Sequence, residues 1–85
     1  MTHDLLEKLV GTFAKKVGPP ACTLAAKVIG KGADVSPSGR IDPLIKSPDQ
    51  AKDLWNKIVN EYSRALGTNL VYSLVTKLKV ELKIP

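Results

Sequence analysis

The sequence predicts an all-α protein, a small four-helix bundle. Three observations carry this expectation. Apolar residues recur at spacings of three and four over most of the chain, the breaks between these stretches fall at Gly or Pro, and 85 residues suit one domain with one core. An apolar fraction of 44% beside 25% charged residues belongs to a chain that folds, not to a disordered one.

The first helix is expected over 3–17. Thr2 or Asp4 caps it, and Leu5, Leu6, Leu9, Val10, Phe13, Ala14 and Val17 form one apolar face. Gly11 weakens its middle by about 1 kcal/mol relative to Ala, which suggests close approach of another backbone. Gly18, Pro19 and Pro20 end it.

Pro20 suits the first position of a second helix, 20–30, because a missing N–H costs nothing there. Only Thr23 and Lys27 are polar between Ala21 and Ile29, so this helix is expected at the centre of the bundle, its small residues admitting close neighbours.

Residues 30–46 hold three glycines, two prolines and two serines and read as the one long connection. Asp42 and Pro43 are expected to start a short turn near 43–46 that docks Leu44 and Ile45 on the core. Asp34, Ser36, Ser38, Gly39, Ile41 and Asp42 fall at positions 1, 3, 5, 6, 8 and 9 of a twelve-residue segment, 34–45, flanked by helices. Over those residues the segment resembles the EF-hand calcium-binding family. Ile45 stands where that family has a bidentate Glu, and Pro37 is a second departure, so calcium binding is not expected.

Ser47, Pro48 and Gln50 make the clearest local signal. Ser at the N-cap, Pro at the first helical position and Gln three residues after the cap start a helix over 48–66. Ala51, Leu54, Trp55, Ile58, Val59, Tyr62, Ala65 and Leu66 share one face, Asp53 with Lys57 and Glu61 with Arg64 are spaced to pair, and Gly67 ends the helix.

The last helix, 69–79, carries Leu70, Val71, Leu74, Val75 and Leu78 and is capped by Thr68 or Asn69. Beyond Lys77 the residues alternate polar with apolar, so 78–84 reads as helix or as a half-buried strand. An ending on Ile84 and Pro85 after that alternation suits the first domain of a longer protein.

Function is less legible. No apolar run reaches the roughly 18 residues of a membrane span, the N-terminus lacks the pattern of a secretory signal, and Cys22 is the single cysteine; a cytoplasmic chain is expected. Cys22 lies in a first helical turn, where a thiolate would be favoured. The one histidine, His3, has no spacing that links it to Cys22, so the reading is a buried, inert thiol, no enzyme and no cofactor. Gly30, Lys31 and Gly32 lack the flanking Gly and Ser or Thr of a phosphate loop, and Ser36 and Ser38 read as turn serines.

The first functional expectation is a non-catalytic protein–protein interaction or self-association module, an adaptor or regulator. Its contacts are expected through the last helix and tail: Tyr72, Lys79, Val80, Leu82 and Ile84. The alternative is a basic nucleic-acid-binding protein using Lys15, Lys16, Lys27, Lys31, Arg40 and Lys46, where most of the net charge of +5 is concentrated. Only Arg40 and Arg64 are arginines, and Phe13, Trp55 and Tyr62 lie on apolar faces. Tyr72 alone is left to stack on a base, which favours the first expectation.

Overall fold

The computed structural model describes residues 2–84, and among them the chain forms four helices and one two-stranded hairpin. The order is α1 (His3–Val17), α2 (Pro19–Ile29), β1 (Asp34–Val35), β2 (Ile41–Asp42), α3 (Pro48–Leu66) and α4 (Thr68–Leu82). The expected all-α bundle is present. Among the described residues no helix is long and apolar enough to cross a membrane.

Local chemistry sets most boundaries. Thr2 caps α1, its hydroxyl accepting from the Leu5 N–H at 3.4 Å, and Ser47 caps α3 in the same way from the Gln50 N–H at 3.3 Å. Gly18 alone links α1 to α2, and Gly67 alone links α3 to α4. The second helix begins at Pro19, one residue before the expected Pro20. Both prolines fit because first-turn N–H groups have no intrahelical acceptor.

The core gathers Leu6, Leu9, Val10 and Phe13 from α1, Ala21, Cys22 and Ala25 from α2, Ala51, Leu54, Trp55, Ile58 and Tyr62 from α3, and Val71, Val75 and Leu78 from α4. The Phe13 and Tyr62 rings meet at 4.6 Å between centroids, and the Tyr62 hydroxyl donates to the Ala21 carbonyl at 2.7 Å, joining three helices at one point.

The expected centrality of the second helix is not observed. α1 and α3 each touch all the other helices, whereas α2 packs on α1, α3 and β1 and makes no contact with α4. Its small residues do let neighbours approach, but they fill little volume. Leu24, Val28 and Ile29 are left half-buried at its flanks, while α1 and α3 carry the large, fully buried side chains.

The long connection is also more ordered than expected. Asp34 pairs with Asp42 and Val35 with Ile41, antiparallel, around Pro37, Ser38 and Gly39. The Gly39 N–H donates to the Ser36 carbonyl and the Ser36 N–H to the Arg40 carbonyl, each at 2.9 Å. This is a three-residue hairpin loop with Pro at the second turn position and Gly at positive φ. The Ser-Pro-Ser-Gly run is the signal that announces it. No helical turn forms at 43–46. The chain bends at Pro43 and has no regular structure over 44–46, with Leu44 exposed and Ile45 buried, and the Ile45 N–H donates to His3 Nδ1 at 3.0 Å, which ties the segment to α1.

The tail resolves as helix. α4 continues to Leu82, past the expected end near 79, because Leu78 and Leu82 extend the apolar row of Val71 and Val75. Lys83 then adopts φ 57°, with its N–H reaching the Val80 carbonyl at 3.3 Å and the Ile84 N–H reaching the Lys79 carbonyl at 2.9 Å, a Schellman ending made without glycine. The expected ending at Pro85 lies outside the described residues.

Candidate functional site

α4 runs back along α3, and between them lies an open groove. Its floor is Trp55, Val59 and Val75. Asn56 and Asn60 form the α3 side, Tyr72 and Thr76 the α4 side, and Lys57 and Lys79 complete the lining. The helical register puts them there: Trp55 and Val59 sit at the edge of the buried stripe, and Asn56 and Asn60 follow each by one residue. Trp55 is only 2% exposed, whereas Tyr72 is 58% exposed. Among the described residues no intrachain hydrogen bond engages the side chains of Asn56, Asn60, Tyr72 or Thr76, and Lys79 makes no ion pair.

Two further concavities are of similar size, about 580 and 570 Å³ against about 620 Å³ for the groove, so size does not choose among them. Their chemistry does. The second is lined by Asp4, Glu7 and Glu81 together with Lys8 and Lys15, and the third by Asp4, Glu7, Asp34 and Asp42 around Arg40. In both, the chain's own charges answer one another. The α3–α4 groove holds two lysines and no carboxylate.

Of the tail residues expected to meet a partner, Tyr72 and Lys79 line this groove, and Val80 stands 74% exposed outside it. Leu82 and Ile84 pack against the core. The apolar surplus inferred from the alternating pattern is therefore largely absorbed by the chain itself, since helix and Schellman turn carry those side chains inward. Asn56, Asn60 and Thr76 were not singled out in the sequence; the available signal is a pair of Asn four apart, each one residue past a member of the Trp55 stripe.

Of the six basic residues of the alternative reading, three lie beside the chain's own carboxylates. Lys15, Lys16, Lys27, Lys31, Arg40 and Lys46 are all exposed, but Arg40 lies among carboxylates, Lys15 shares a different concavity with Glu81, and Lys27 Nζ is 3.9 Å from Glu61 Oε1. That last contact replaces the expected pairing of Glu61 with Arg64, while Lys57 and Asp53 pair at 3.0 Å as their spacing predicts.

Cys22 is buried, and its thiol donates to the Ser36 carbonyl at 3.2 Å. Burial pushes the thiol pKa up from its ordinary value, opposite to what a nucleophile requires. His3 and Glu7 serve the fold: Ile45 N–H donates to His3 Nδ1, so the ring carries its proton on Nε2, 3.1 Å from Glu7 Oε2. The same oxygen accepts from the Ile41 N–H at 2.8 Å. Together they clamp the hairpin and the segment after it to α1. Ile45, at the Glu position of the EF-hand pattern, is buried in the core. Among the described residues no three His, Cys, Asp or Glu side chains are arranged around a metal position.

No known family model, curated protein or solved structure matches this chain.

Proposed function

We propose that this chain is a non-catalytic protein-interaction module, a cytoplasmic adaptor that docks a partner protein through the α3–α4 groove and the outer edge of α4. The observation that carries this reading is the lining of that groove. An apolar floor meets four polar side chains and a Lys79 that have no side-chain partners among the described residues, beside the exposed Val80. Tyr is a preferred interface anchor because it offers a large, stiff apolar surface with a polar tip. The single, buried thiol suits a reducing compartment.

A different protein suits this surface better than a second copy. Two-fold pairing sets the patch against its own copy, whose lining carries two lysines and no carboxylate to answer Lys79. The groove is also small beside the roughly 800 Å² that each partner contributes to a standard interface, so the complex should be weak and transient, with Kd on the order of micromolar.

The test is capture from extracts of the producing cells with the full chain, its Tyr72→Ala and Asn60→Arg variants, and Lys16→Ala as a control. A protein retained by the wild type and the control but lost by both groove variants is the expected result. Retention unaffected by the groove variants overturns the reading. Binding to mixed DNA or RNA that weakens steeply with salt and with loss of Lys16 or Lys31 would put the basic residues in its place. A mass that doubles with concentration, and fails to do so in Asn60→Arg, would make the occupant a second copy.

A further inference from the structure

We infer that the groove takes an extended, acidic peptide segment of the partner, held between the Asn56–Asn60 pair on α3 and the Tyr72–Thr76 pair on α4 with Lys57 and Lys79 facing its carboxylates. This rests on the docking reading above and names the chemistry of the occupant.

The spacing of the amides points to an extended backbone. Residues four apart on a helix are separated by about 6 Å along its axis, and an extended chain repeats every two residues, at about 6.6 Å. Each Asn carries an acceptor and two donors, so Asn56 and Asn60 can each pair with one peptide N–H and C=O, two residues apart. A helical occupant would need neither amide, since its backbone groups are satisfied internally. It would instead require a long apolar trough for anchors at i, i+3, i+4 and i+7. The floor here is three residues, one of them Trp55 at 2% exposure.

The charge points to carboxylates. Lys79 has no counter-ion among the described residues, and the Lys57–Asp53 pair is more than half exposed on both sides, so it is weak enough to be exchanged for a better-placed partner. No Asp or Glu lines the groove to repel an acidic segment, in contrast with the other two concavities, and the net charge of +5 adds long-range attraction. In an extended peptide alternate side chains face opposite ways. One set would meet Val59 and Val75, and the other the lysines, so the recognised pattern alternates small or apolar residues with Asp or Glu.

A random seven-residue peptide display library panned against the full chain tests this, followed by titration of the selected peptides read by Trp55, the single tryptophan and part of the groove floor. Enrichment of Asp and Glu is expected, with binding about fivefold weaker in Asn60→Ala, about tenfold weaker in Lys79→Glu, and reduced by salt. Panning against Lys79→Glu should shift the selected peptides toward Lys and Arg. Neutral or basic peptides selected at the groove of the wild type would overturn the acidic assignment and leave the docking reading standing. So would failure to select any peptide while a captured protein remains dependent on Asn60, because the occupant would then be a folded surface. If neither experiment finds anything that depends on the groove, the inference and the docking reading fall together.

Discussion

Gly39 carries a demand that no other residue type meets. Its φ is +93°, and a Cβ there would lie 2.5 Å from the Glu7 carbonyl oxygen and 2.6 Å from the Gly11 nitrogen. The hairpin tip therefore rests backbone to backbone on α1, and Gly11 is the other half of the contact, its own Cβ position being 2.9 Å from the Ser38 carbonyl oxygen. Gly39→Ala should cost about 3 kcal/mol or more, combining backbone strain with overlap against atoms that cannot rotate away. Gly11→Ala sets a helix-propensity gain of about 1 kcal/mol against displacement of the Ser38 carbonyl, and the clash with backbone should win by roughly 1 kcal/mol. Urea midpoints measure both, and a higher midpoint for Gly11→Ala would show that the hairpin yields freely. The sequence flagged Gly11 as a place of close approach, but which backbone comes near depends on where a hairpin 28 residues away is laid down.

At the scale of elements, the endings and attachments decide more than the helices themselves. α4 closes on Lys83 in a left-handed conformation, which an L side chain adopts at a cost of about 1 kcal/mol. Lys83→Gly should raise stability by about 0.5 kcal/mol after allowing for the greater freedom of glycine in the unfolded chain. Lys83→Val should lower it, because branching at Cβ is poorly tolerated there. Thermal midpoints moving the other way would mean that the ending is not a Schellman turn. The hairpin and the stretch to α3 are held by His3 and Glu7 through two backbone N–H groups. His3→Ala should speed amide exchange at Ile45 about tenfold, the loss of one part-buried hydrogen bond, while exchange at Gln50, bonded to the Ser47 cap, stays as it was. Equal loosening at both amides would mean that His3 supports the bundle generally. Nothing in the spacing of His3, Glu7, Ile41 and Ile45 along the chain announces this clamp, since its members are 34 and 42 residues apart.

For the molecule as a whole, two buried ionisable groups set its alkaline limit. Burial raises the pKa of Cys22 and of Tyr62 above their ordinary values, and for Tyr62 the neighbouring Cys22 adds a smaller push in the same direction. Both groups are neutral when folded. Their contribution is fully present below about pH 9 and is lost as pH rises from there through the folded values, because the unfolded chain ionises first. Denaturant midpoints should therefore fall between about pH 9 and 11, and the part above pH 10 should be smaller in Tyr62→Phe. At neutral pH that variant should lose about 1 kcal/mol, since the Ala21 carbonyl keeps its place in the helix ladder. An alkaline fall of the same depth in both proteins would remove Tyr62 as its cause. The sequence by itself determined the four helices, the cap at Ser47, the apolar stripe that carries Trp55 and the burial of Cys22, because each follows from residues within a few positions of one another. Only the tertiary structure decided that α1 and α3 form the centre, that Arg40 lies among carboxylates, that Leu82 and Ile84 turn inward, and that Asn56, Asn60, Tyr72, Thr76 and Lys79 line one groove. Those outcomes depend on which helix faces meet across the core, and a one-dimensional pattern records the face of each helix without recording its partner.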